Sequence, residues 1–232
     1  MNIQGEPIKF RHELKHFINM ADYLSIRQRL LVVAWLDKHA GEDGCYRVRS
    51  IYFETPDDKA LQEKLNGVGK REKFRLRYYN DDTGSIRLEK KVKIYGLGSK
   101  QTTFLSKKEA EQLLAGETEW MRASDDPLIL ELDAKMKYQQ LRPKTVVNYV
   151  REPYVYEPGN VRITIDSRIE TGIHSKDFFN LELPAVRTDT KNLMVLEVKY
   201  DSFLPDIIRD VIQTKDRRAG AFSKYAAGRI FG

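Results

Sequence analysis

The sequence predicts an α+β fold: an antiparallel β-sheet closed into a tunnel, with a charged lumen and helices packed outside. Three observations carry that prediction. Several segments alternate charged and apolar residues with period two, the helix signals are few and well capped, and the charged strand faces concentrate Arg and Lys.

In chain order, the first strand sets Lys9, Arg11, Glu13 and Lys15 against Phe10, His12 and Leu14. The spacing then predicts a helix from Asn19 with Leu24, Leu31 and Trp35 on its apolar side. Thr55-Pro56-Asp57-Asp58 supplies an N-cap and a first-turn proline for a second helix, which Gly67 stops. From Arg71 to Tyr79 the odd positions Arg71, Lys73, Arg75, Arg77 and Tyr79 oppose Glu72, Phe74, Leu76 and Tyr78. The next strand opposes Arg87, Glu89, Lys91 and Lys93 to Ile86, Leu88 and Val92. Gly96-Leu97-Gly98-Ser99-Lys100 lacks the order of a Walker loop and reads as a hairpin or lid whose Lys100 reaches the tunnel mouth. Ser106 and Glu109 make a capping box for a helix that Gly116 ends, and Leu128, Leu132 and Met136 mark another that ends before Pro143. Two more strands follow: Arg162, Thr164 and Asp166 oppose Val161, Ile163 and Ile165, and Glu197, Lys199 and Asp201 oppose Leu196, Val198 and Tyr200. Pro205 opens a last helix through Ile208 and Ile212.

Such faces have two readings. One is a sheet with its charged face in water. The other turns that face inward. Arg75 and Arg77 beside Lys91 and Lys93 would repel unless an anion sits among them, because like charges opposite each other weaken strand pairing. A charged lumen implies a ligand and water, since small barrels otherwise fill with apolar side chains. Arginine forks and lysine ammoniums suit phosphate, and Glu13, Glu89 and Glu197 are then the candidate ligands for Mg²⁺ or Mn²⁺.

The bulk composition agrees. The chain has 232 residues, 41% hydrophobic and 32% charged, with a net charge of +6 that favours anionic partners. No linker or repeat divides it, so residues 1–232 are expected to form one domain. No apolar run reaches the roughly 18 residues of a membrane span. The lone Cys45 and the lack of a secretory signal lead us to expect a cytoplasmic protein without disulfides. His12 and His16 fall on apolar-side parity and read as packing or surface residues, while Trp35 and Trp120 fit helix packing.

The run Arg11-His-Glu13-Leu-Lys15, then Tyr46-Arg-Val-Arg49-Ser-Ile-Tyr52-Phe53 and Lys73-Phe-Arg75-Leu-Arg77, resembles the catalytic domain of the vacuolar transporter chaperone (VTC) proteins. Leu88-Glu89-Lys90-Lys91, Val161-Arg162-Ile-Thr-Ile-Asp166, Leu196-Glu197-Val-Lys199-Tyr200 and Phe222-Ser223-Lys224-Tyr225 extend the resemblance from about Phe10 to Gly228. That family belongs to the triphosphate tunnel metalloenzymes. The resemblance implies an eight-stranded antiparallel tunnel and a polyphosphate polymerase that uses ATP with Mn²⁺ or Mg²⁺. It implies that Lys15, Arg75, Arg77, Lys91, Arg162, Lys199 and Lys224 act on the phosphates. Arg11, Arg49, Lys73, Lys93, Arg151 and Ser223 are implied as further phosphate contacts, and Glu197 as a metal ligand. Most tunnel enzymes begin Glu-x-Glu-x-Lys; Arg11 replaces the first acid here, which argues against the two-metal hydrolase branches.

ATP and polyphosphate are therefore the expected partners, with no nucleic acid and no membrane insertion of this chain; any membrane subunit is expected to be separate. A hydrolase of tripolyphosphate or a nucleoside triphosphate on the same site is the first alternative. A non-catalytic polyphosphate or RNA binder is the second, although Phe74, Tyr78 and Tyr200 oppose the charged residues instead of forming a stacking platform.

Overall fold

The computed structural model describes residues 10–172, 176–188, 194–215, 218–220 and 222–230. Lys9 lies outside them. The strands are β1 (His12–Ile18), β2 (Trp35–Leu36), β3 (Tyr46–Glu54), β4 (Lys70–Tyr79), β5 (Asp82–Ile94), β6 (Leu97–Leu105), β7 (Arg142–Tyr156), β8 (Val161–Gly172), β9 (Val186–Arg187), β10 (Met194–Tyr200) and β11 (Arg218–Ala219). The helices are α1 (Met20–Val33), α2 (Lys59–Leu65), α3 (Lys107–Ala115), α4 (Pro127–Tyr138), α5 (Asp206–Val211) and α6 (Lys224–Ile230).

One antiparallel sheet runs β11-β1-β10-β8-β7-β3-β4-β5-β6, with β2 beside β7 and β9 beside β8. Eight of these strands have seven or more residues, and they are consecutive in the order from β1 to β6. Among the described residues, the end strands β1 and β6 approach each other through a single bridge, where Arg11 and Gly98 exchange backbone hydrogen bonds of 3.0 and 3.1 Å. The expected closed ladder is therefore corrected: among the described residues the ladder between β1 and β6 stays open apart from that bridge.

Period two explains the layers. The even residues of β4 and β5 turn outward, where Phe74, Leu76, Ile86 and Leu88 pack under Ala110 and Leu113 of α3 and Leu128, Leu132 and Met136 of α4. On the opposite wall, Ile163, Ile165, Leu196 and Val198 pack under Ile26 and Leu30 of α1 and Ile208 of α5. Each such side chain contributes about 1.5–3 kcal/mol on burial, so these outer layers hold the wall and free the inner face for charge.

Two helix expectations change. The helix starts after Asn19, which forms a capping box with Asp22, but α1 buries Ile26 and Leu30, while Leu24 and Leu31 are half exposed. Trp35 belongs to β2 and is 77% exposed, so the stripe read from Leu24, Leu31 and Trp35 is the outer one. The second helix begins at Lys59, after a turn over Thr55–Asp58. Thr55 Oγ1 accepts from Lys59 N, and the buried Glu54 carboxylate accepts from Ala60 N and Leu61 N.

Candidate functional site

The inner face lines a cavity with two lobes. The wide lobe, about 640 Å³, lies toward the β4–β5 turn and is lined by Tyr46, Tyr79, Arg87, Lys100 and Arg162 among others. The narrow lobe, about 140 Å³, lies at the other end, bounded by Ala60 and Lys64 of α2 and by Phe222 to Tyr225. Glu13, Arg75, Arg77, Lys91, Arg151 and Lys199 line both and form the waist between them. Among the described residues, fifteen Lys and Arg side chains line the two lobes against four carboxylates, Glu13, Glu72, Asp82 and Glu197.

Strand register sets the waist. Arg75 faces Glu89 across β4 and β5, and Lys73 faces Lys91. On the other wall Glu13 faces Lys199, and Lys15 faces Glu197. The Glu89 carboxylate is fully buried and takes Arg75 Nε at 2.6 Å and Lys100 Nζ at 2.9 Å, with Arg77 at 3.7 Å. Burial would raise its pKa, yet Arg75, Arg77 and Lys100 hold it well below the usual range. Glu13 meets Lys91 at 2.9 Å, Lys15 at 3.4 Å and Lys93 at 3.7 Å. Lys91 and Lys15 outweigh its burial and bring it to about 2. Glu197 takes Lys199 at 2.5 Å and Lys15 at 3.1 Å and is likewise held ionised. Asp166 receives both nitrogens of the Arg151 fork at 2.6 and 2.8 Å and also pairs with Lys224.

The structure thus brings Lys15, Lys73, Arg75, Arg77, Lys91, Lys93, Arg151, Lys199, Ser223 and Lys224 to one cavity. Arg11, paired with Asp201 at 2.9 Å, and Arg162, paired with Asp37 at 2.9 Å, line the wide lobe. Arg49 is not among them. It faces the outer layer, where its guanidinium donates to the carbonyls of Phe178, Asp177 and Asn180.

The three acids expected to bind metal are also divided. Lys15 joins Glu13 to Glu197, whereas Glu89 is enclosed by its own cations. Among the described residues no cluster of three His, Cys, Asp or Glu could hold a metal. A divalent cation bound by one or two carboxylates plus substrate phosphates fits Glu13 and Glu197; Glu89 does not fit that role.

Sequence reading missed the tyrosines. Tyr46, Tyr52 and Tyr149 accept hydrogen bonds from Arg162, Arg75 and Arg77 at 3.1, 3.1 and 3.0 Å. Their register beside arginine strands was the available signal.

A family model described as the VTC domain matches residues 10–231. No curated protein matches the chain. Among solved structures, a Hippeastrum protein named for adenylyl cyclase and described with a dominant triphosphatase activity is similar, with 11% identity, a TM-score of 0.50 and 94% of each chain covered. A Bacillus halodurans protein named for adenylate cyclase shows 17% identity and a TM-score of 0.49, covering 84% of this chain and 82% of its own. Among the described residues, no helix is long and apolar enough to cross a membrane.

Proposed function

We propose, from the premise that this chain belongs to the VTC domain family, that its cavity is a triphosphate tunnel in which the γ-phosphate of ATP is transferred to a growing polyphosphate chain. The observation that carries this reading is the waist, where four cations from β4, β5 and β7 and one from β10 line both lobes at once. A phosphoryl group in flight spreads charge over its equatorial oxygens, so catalysis asks mainly for position and positive charge. Arg75, Arg77 and Arg151 are each fixed by carboxylates or tyrosines before substrate arrives, so their orientation costs little at the moment of reaction.

Donor and acceptor approach from opposite lobes in this reading. A terminal phosphate oxygen is already ionised at neutral pH, so the acceptor needs no general base. Lys15, Lys199 and Lys224 gather it from the narrow side. Mn²⁺ or Mg²⁺ beside Glu13 and Glu197 would neutralise phosphate charge when bound.

Hydrolysis on the same site is the second reading, and Tyr52 favours it. Burial would raise this phenol, but Arg75, Lys73 and Arg77 bring it to about 7, where it can accept a proton from water. The two readings separate on incubation of the purified protein with γ-labelled ATP and Mn²⁺, with products resolved on a denaturing gel. Polymerisation gives a ladder of long phosphate chains that Glu197→Ala abolishes. Free phosphate alone makes the protein a hydrolase, and absent turnover with retained polyphosphate binding makes it a binding module.

A further inference from the structure

Every other Lys or Arg lining the wide lobe pairs with a carboxylate; among the described residues Arg87 does not. Its Nε is buried and without a hydrogen-bond partner. Its position is nevertheless well fixed. On β5 it stands opposite Arg77 of β4 and Phe104 of β6, and its guanidinium carbon lies 5.0 Å from the Tyr79 ring centre and 5.5 Å from that of Phe104. Both rings lie within cation–π range, and among the described residues no hydrogen bond or ion pair spends the guanidinium donors. Unspent guanidinium donors match phosphate oxygens in pairs.

Arg87 shares the inner face with Glu89 and Lys91. At about 3.4 Å per residue it lies roughly 14 Å along the strand from Lys91 and directly across from Arg77, at the outer end of the waist. The geometry points to Arg87 as a further substrate-binding residue, which grips the outermost phosphate of a triphosphate whose other end sits at the waist. A two-phosphate anion held at the inner end of the waist, beside Lys91, stops short of it. This rests on the reading of the cavity as a phosphate site, and it makes Arg87 the residue that measures chain length.

Calorimetric binding of pyrophosphate, tripolyphosphate and a non-hydrolysable ATP analogue to the wild type, Arg87→Met and Arg87→Lys tests it. Arg87→Met should weaken tripolyphosphate and the ATP analogue about tenfold or more, and pyrophosphate less than about twofold. Arg87→Lys should recover only part, because it keeps the charge and loses the fork. Equal weakening of all three ligands, full recovery by Lys, or no change would overturn the proposal. Loss with the ATP analogue alone would also overturn it, by placing Arg87 against the nucleoside. A wild type that binds none of the three defeats the cavity reading itself.

Discussion

In the narrow lobe the Lys73 ammonium lies 5.2 Å from the Tyr52 ring centre and 3.5 Å from Ser223 Oγ, with no carboxylate in ion-pair reach among the described residues. Burial pulls Lys73 down to about 7, and Lys91, Arg75 and Lys15 push the same way against the opposing pull of Tyr52. Burial likewise brings Lys91 down to about 8. An arriving anion favours the charged ammonium, so binding raises these proton affinities. Above pH 7 complex formation should therefore take up protons. Titration calorimetry of tripolyphosphate at pH 8, in two buffers of different ionisation enthalpy, should show uptake in the wild type and less in Lys73→Met; equal uptake in both would refute the assignment. Parity alone put Lys73 on the charged face. It could not reveal Tyr52 or Tyr149, since both faces of β3 and β7 are largely buried and a neutral ring there looks like core.

Elements show the same division. Alternation was plain in β4 and β5 because one face of each meets an apolar layer and the other meets charge. In β3 every residue from Val48 to Glu54 is buried, so periodicity says nothing about which way Arg49 points. α1 misled for a related reason: its exposed side carries Leu24 and Leu31, as apolar as the side against the sheet. Glu54 is where elements are joined. Its buried carboxylate accepts from Thr55 N at 3.0 Å, Ala60 N at 2.9 Å, Leu61 N at 3.1 Å and the Tyr225 hydroxyl at 2.5 Å, tying α2 to the helix that starts at Lys224. Glu54→Ala leaves those donors buried without an acceptor and should destabilise the fold by about 3 kcal/mol, read from urea unfolding. An unchanged midpoint would mean that the junction is not structural.

At the scale of the molecule, the eight antiparallel strands and the helices outside follow from pattern and resemblance, while the strand order and the manner in which the two ends meet do not. The bridge at Arg11 and Gly98 depends on three-dimensional curvature, to which no local period refers. The separation into two lobes at a cationic waist is equally a product of register across several strands. An interior with this excess of positive charge is costly to keep dry and unpaired. That cost is intelligible if a polyanion completes the site.

The most direct measurement is a crystal structure of the protein with a non-hydrolysable ATP analogue and Mn²⁺, using anomalous scattering to locate the metal. The account predicts phosphates at the waist among Arg75, Arg77, Lys91, Arg151 and Lys199, with manganese beside Glu13 and Glu197. Phosphates bound on the outer surface, with the cavity holding only water, would contradict it.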